Sequence, residues 1–134
     1  MCGLAGIFNL DGASINSQDL LKMTRIIRHR GPDDEGYLLI HTANKNIHHH
    51  VHDDTISEIK ANSSVLPNHT NCNLGIGYRR LAIIDLSAKG HQPMADPSGQ
   101  IWLSFNGEIY NLSLIHISEP TRRTPISYAV FCLK

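Results

Sequence analysis

Four short apolar runs and one helical stretch set what this chain can fold into. Leu4–Leu10, Gly36–His41, Leu74–Leu86 and Ile101–Phe105 read as strands, and turn residues punctuate them at Asp11-Gly12, Gly31-Pro32, Gly90–Gly99 and Asn106-Gly107. Between the first two, Ser17 is placed to cap a helix, with Asp19 in its first turn and Leu20, Met23 and Ile27 recurring at helical spacing. Proline disfavours helix at the residue before it, so that helix should fail by Gly31-Pro32. Short connections favour antiparallel pairing. His41–Cys72 is polar, rich in His, Asn and Ser, without periodicity, and reads as a long excursion from the core. The expectation is an α+β chain built mainly on antiparallel strands.

Size and charge remove several classes of function. At 134 residues the chain holds one modest domain. Its 12 basic and 12 acidic residues balance, so no polyanion-binding face is indicated. No apolar run approaches the roughly 20 residues of a membrane span, and no leader pattern opens the chain. Cys2, Cys72 and Cys132 are odd in number and far apart, which supports neither a disulfide framework nor a zinc knuckle. A reducing cytoplasm is the expected compartment.

The opening residues, MCGLAGIF, carry a chemical possibility that no internal cysteine has. If Met1 is removed, which a small second side chain permits, Cys2 holds a thiol and a free α-amine. Such groups titrate near about 8.5 and about 7.7–8.0, so one residue would carry a nucleophile and a base close to neutrality. The alternative is an ordinary small residue that starts a strand.

Four other stretches are ambiguous taken singly. Asn106-Gly107, in FNGEIYN, fits a tight hairpin turn and also an oxyanion hole, since an Asn amide and a Gly N–H can both donate to a developing alkoxide. In GYRRLAIID, alternation puts Arg79 and Arg80 on opposite faces, one toward water and the other toward an anion or a pocket. A structural ion pair is the competing reading there. RHRGPDDEG clusters Asp33, Asp34 and Glu35 without the spaced partners of a metal site, and its His29, Arg28 and Arg30 suit the C-terminus of the preceding helix. In IHHHVHDD, His48, His50 and His52 would share a strand face and could bind a divalent cation, or be incidental surface.

Back-translation offers a separate origin for the C-terminal stretch, the alternative being a genuine short helix or strand. Leu112–Arg122 is what the transposase mosaic-end sequencing adapter encodes, and Ile126–Leu133 is what its flow-cell end encodes, in one frame with an index-sized gap between. Leu112–Lys134 is therefore expected to be an artefact tail, and genuine sequence to end at about Asn111.

MCGLAGIF, RHRGPDDEGY, GYRRLAIIDLSAKGHQPM and FNGEIYN, in this order, resemble the N-terminal glutaminase domain of glutamine-hydrolysing asparagine synthetases. These are class II glutamine amidotransferases with the N-terminal-nucleophile hydrolase fold. The resemblance covers Met1–Asn111 as a partial domain, apart from the His-rich excursion. It implies an αββα sandwich of antiparallel sheets, incomplete here. It makes Cys2 the nucleophile and its amine the base, with Asn106 and Gly107 as the oxyanion hole. Arg80 matches the arginine that holds the glutamine α-carboxylate, Leu81, Ala82, Ile83 and Ile84 match a strand whose backbone lines the substrate, and Glu108 belongs to the glutamine pocket. Arg79 matches no ligand. The implied reaction is amide hydrolysis through a thioester, feeding ammonia to the ATP-dependent amidation of aspartate.

The same resemblance exposes departures. The acid that selects the glutamine α-ammonium lies beyond FNGEIYN in the family, where this chain carries the tail. No SGGxDS loop occurs, so ATP and Mg²⁺ are expected only for a synthetase domain outside this chain, and no cofactor or metal within it. A homodimer is compatible with the parent. Alone, the chain is expected to be insoluble or molten and without glutaminase activity. Two alternatives stand beside this reading: a class II amidotransferase with another acceptor, and a His-rich metal-binding module.

Overall fold

A seven-residue strand with glycine at alternate positions organises the molecule. The computed structural model describes residues 1–107 and 131–133. Strand β1 (Gly3–Phe8) pairs antiparallel with β5 (Leu74–Arg80), and β5 pairs antiparallel with β2 (Asp34–His41). The sheet continues through β3 (Asn46–Val51), antiparallel to β2, to the two-residue β4 (Ser64–Val65), which is parallel to β3. The strand order is β1-β5-β2-β3-β4. A second sheet holds β6 (Met94–Ala95), β7 (Trp102–Ser104) and β8 (Phe131–Leu133), all antiparallel. The architecture is thus mixed α and β with mainly antiparallel strand pairing, as expected.

The two faces of the large sheet are chemically distinct. On one lies α1 (Ser17–Ile26), whose Leu20 and Leu21 pack with Ile15, Tyr37, Leu39, Leu66 and Cys72. Burying each such leucine contributes about 1.5–3 kcal/mol. The helix can seat because β5 offers Gly77 there: a Cβ at Gly77 would collide with Thr24 Oγ1. Thr24 in turn donates its hydroxyl to the Leu20 carbonyl, 2.8 Å away, so its own buried hydroxyl is satisfied under the helix. On the opposite face Leu38, Ile40 and Ile76 cluster with Leu4, Ile47 and Leu74, and Trp102 of the second sheet packs onto them.

Several expectations need correction. The helix cap is Asn16, whose side chain accepts from the Gln18 N–H at 2.9 Å; Ser17 is the first helical residue and fully buried. The inward stripe is Leu20, Leu21 and Thr24, while Met23 is 39% exposed and Ile27 has left the helix. His29 does sit at the helix end, with Nδ1 3.1 Å from the Ile26 carbonyl. The strand expected over Leu74–Leu86 stops at Arg80, so Leu81–Ile84 are loop residues. The 41–72 stretch is no excursion: β3 and β4 are part of the sheet, and Val51 and Leu66 are buried. Histidine-rich sequence hides that strand because half its residues meet polar partners. Positive φ among the described residues falls on Gly12, Lys45 and Gly99, so Asn106 is not in a tight primed turn.

The cap assignment predicts unequal effects. Asn16→Ala should lower stability by about 1 kcal/mol, because it strands a helix N–H. Ser17→Ala should be close to neutral, since the Ser17 hydroxyl is buried with no partner. Urea unfolding of the two variants checks this.

Candidate active site

Register carries Cys2 to its place. Gly3 opposes Arg79 across the β1–β5 pair, so Cys2, one residue earlier, reaches the end of β5. There the Leu81 N–H donates to Sγ at 3.4 Å, and Sγ lies 3.8 Å from the Leu81 carbonyl. Arg30 Nε donates to the Cys2 carbonyl at 3.2 Å, which fixes the backbone from the helix side. Cys2 is a free thiol, and Met1 before it is 78% exposed.

A cavity of about 650 Å³ opens beside that sulfur. Its wall collects Cys2, Tyr78, Arg80, the Leu81–Ile84 loop, Gln92, and Asn106 with Gly107. All the site residues expected from the sequence therefore share one cavity, except Glu108, which lies outside the described residues. Asn106 and Gly107 follow β7 and line the cavity. Ile83 and Ile84 are exposed at its rim. The loop is pinned where Ala82 N–H donates to Asp33 Oδ2 at 2.8 Å.

Arg80 is the buried cation of this cavity. It ends β5 on the face shared with Ile76 and Tyr78, and its guanidinium donates to the Ser87 carbonyl at 2.7 Å and to the Asp85 carbonyl. Gly90 lets that guanidinium lie flat in its loop, because a Cβ there would strike Nη2. Among the described residues this guanidinium makes no ion pair and is held by backbone carbonyls, which suits an anionic ligand.

Arg79 does something different, although both arginines are buried. Arg79 is fully buried on the helix face, donating from Nε to the Gly31 carbonyl at 2.8 Å. Its Nη1 lies 2.8 Å from Glu35 Oε2 and 2.9 Å from Asp54 Oδ2. The structural ion pair is therefore correct for Arg79, and the water-facing expectation fails because α1 and the His52–Asp54 segment cover that face. Glu35 is satisfied further by the Tyr37 hydroxyl and the Asp54 N–H, each at 2.8 Å.

Asp34, His91 and His49 form a connected chain. Asp34 accepts from the Glu35 and Ile56 N–H groups and contacts His91 Nδ1 at 2.7 Å. His91 Nε2 lies 2.9 Å from His49 Nε2, and His49 stacks on Trp102 with ring centroids 5.8 Å apart. His48 and His50 share the other face, ring centroids 6.2 Å apart, and His52 sits edge-on to Tyr37. Among the described residues no group of three His, Cys, Asp or Glu side chains could hold a metal ion.

Burial, reinforced by His91 and His50 and opposed by Asp34, pushes the His49 imidazole from 6.5 down to about 4. A depressed histidine stabilises the fold fully above about pH 6.5, and that contribution is lost as pH falls toward 4, because the unfolded chain takes up the proton first. The melting temperature of His49→Leu should therefore fall less between pH 6.5 and 4 than that of the wild type.

Two cavity residues were not assigned roles from sequence. Tyr78 donates its hydroxyl to the Phe105 carbonyl at 2.8 Å; burial and hydrogen bonding with Cys2 both push its phenol up. Gln92 Oε1 accepts from the Phe105 N–H at 2.6 Å. Tyr78 could be read only as one more inward strand residue, and Gln92 only as part of GHQPM.

The family described as glutamine amidotransferase domain matches residues 63–122. Relatives match 83% of the chain. This chain carries a glutamine amidotransferase domain. The relatives include Bacillus subtilis asparagine synthetase (glutamine-hydrolysing) 1, 33% identical over 114 residues, and 2, 36% identical over 116 residues; the matches cover 13% and 11% of those proteins. Asparagine synthetase (glutamine-hydrolysing) of Triphysaria versicolor is 30% identical over 112 residues, 83% of this chain and 14% of that one. The amidotransferase chain spans less than a fifth of the length of the curated relatives it matches. No solved structure gives a significant match. Among the described residues, no helix of the amidotransferase chain is long and apolar enough to cross a membrane.

Proposed function

We propose that, in the intact gene product, this domain hydrolyses glutamine to glutamate and ammonia, and that the ammonia amidates aspartate at an ATP- and Mg²⁺-dependent site elsewhere in that protein. The observation that carries the reading is the single cavity in which Cys2, Arg80, the Leu81–Ile84 loop and Asn106–Gly107 meet from three separate stretches of chain.

Removal of Met1 frees the Cys2 amine beside its own sulfur. The amine takes the thiol proton, and the thiolate attacks the side-chain carbonyl carbon of glutamine. The oxyanion that forms accepts hydrogen bonds from the Asn106 amide and the Gly107 N–H, where losing one such donor typically costs about 2.7–4 kcal/mol. The protonated amine then gives its proton to the amide nitrogen, the C–N bond breaks, and ammonia leaves a thioester on Sγ. Water, deprotonated by the same amine, cleaves the thioester to glutamate and restores the thiol. Arg80 holds the α-carboxylate, the Leu81–Ile84 backbone lines the substrate, and Glu108 completes the pocket. A reducing cytoplasm keeps the Cys2 thiol free.

The same reading includes the αββα sandwich, supported by α1 on one face of the large sheet and Trp102 of the second sheet on the other. It also assigns Leu112–Lys134 to translated adapter, so that adapter-trimmed reads of the locus should continue past Asn111 to the acid that pairs with the substrate α-ammonium. The test is an assay of the intact gene product. Glutamine alone should yield glutamate and ammonia, and aspartate with ATP and Mg²⁺ should yield asparagine. Glutamate release with ammonia passed only to another acceptor would keep the glutaminase and overturn the asparagine assignment.

A further inference from the structure

Strand pairing in the second sheet ends at Ser104, yet the two donors lining the cavity, Asn106 and Gly107, come after it. The backbone of Phe105, just before them, is gripped from two sides. Its carbonyl accepts from the Tyr78 hydroxyl at 2.8 Å and its N–H donates to Gln92 Oε1 at 2.6 Å. The two grips are themselves anchored. Tyr78 is buried in β5, two residues before Arg80. Gln92 follows His91, which is buried and held at 2.7 Å by Asp34 of β2. Gly90, one residue earlier still, lies against the Arg80 guanidinium.

We propose that Gln92 is a positioning residue, which with Tyr78 clamps the Phe105 peptide and so keeps the Asn106 and Gly107 donors aimed across the cavity at the carbon that Cys2 attacks. The Gly90–Gln92 segment then serves both ends of the substrate: Gly90 shapes the seat of the arginine, and Gln92 sets the donor segment. The inference rests on the glutaminase reading. It differs from a general structural role because the bond it invokes acts on aim at the reacting atoms and leaves the Arg80 grip alone.

The test uses the intact gene product and three variants. Gln92→Leu keeps the volume and loses the acceptor; kcat for glutamate release should fall about tenfold or more, short of the 10²–10³-fold seen when an oxyanion donor is deleted outright. KM should stay within about twofold, since substrate binding and donor aim are separate effects. Gln92→Glu keeps an acceptor oxygen and should restore kcat to within about threefold of wild type. Tyr78→Phe should lower kcat as Gln92→Leu does. Amide exchange at Phe105, read by NMR, should quicken about tenfold in Gln92→Leu, because that N–H loses its partner. Unchanged kcat in Gln92→Leu, an equal loss in the Leu and Glu variants, or a rise in KM without a fall in kcat would each overturn the clamp. A wild-type protein that releases no glutamate would instead sink the glutaminase reading. In that event the Phe105 exchange rate alone decides the clamp, and an unchanged rate defeats it.

Discussion

Replacing Cys2 by alanine is expected to lower glutamate release from glutamine by at least about 10³-fold in the intact gene product, while glutamine still binds. The size follows from what is removed. A covalent nucleophile and its base act as a unit, and deleting the nucleophile forfeits nearly the whole effect of that unit, leaving only the contribution of bound, oriented substrate and oxyanion donors. Binding should persist because Arg80 is seated by the carbonyls of Asp85 and Ser87, without help from Cys2. An electrophilic glutamine analogue should label wild type at one cysteine and leave Cys2→Ala unlabelled. The buried Cys72 is no rival for the label. The labelling should also require loss of Met1, whose exposure leaves it open to removal. Intact mass with Met1 retained, at normal turnover, would defeat the assignment of the base.

The largest stability effect is expected at Arg79. Arg79→Leu should destabilise the fold by about 3–5 kcal/mol, because the buried Glu35 carboxyl would lose its counter-charge. For a domain of this size that corresponds to a fall in melting temperature of roughly 10–20 °C. Arg79→Leu combined with Glu35→Leu should recover part of the loss, since an apolar pair of similar volume avoids the desolvation of both charges. The half-buried Asp54, which pairs with Arg28 as well, is expected to keep its partner on the surface side. Thermal unfolding of the single and double variants settles the point. A normal melting curve for Arg79→Leu would mean that the cluster is a bystander.

Some of this molecule was legible residue by residue. The strands show in sequence because their apolar alternation is a local property, and β1, β2 and β7 fall within two residues of where it puts them. The third strand is invisible for the opposite reason. His48, His49 and His50 have no strong preference of their own, and their places come from partners distant in sequence: His49 from His91 and Trp102, and the stretch that follows from Arg79. The end of β5 was overestimated because Leu81–Ile84 is apolar; those residues are apolar at a rim, where Ile84 is almost wholly exposed. Three of the four ordered motifs supply members of the cavity, but the hydrogen bonds on Phe105 could not be read, since they join Tyr78, Gln92 and Phe105 from separate parts of the chain.

Asp53 and Asp54 fasten their segment to Arg25, Arg28 and Arg79, and Leu66 re-enters the core through its N–H to the Val51 carbonyl at 2.9 Å. Between these two moorings the chain makes a one-turn helix, α2 (Ser57–Lys60), and then a turn whose Ala61 and Asn62 are exposed. Foreign residues spliced into that turn would be bracketed by fixed ends, and lengthening a bracketed loop is entropically mild, about 0.6 kcal/mol per doubling. An epitope or fluorophore can therefore be housed there, leaving untouched the amino terminus, which the proposed mechanism needs bare.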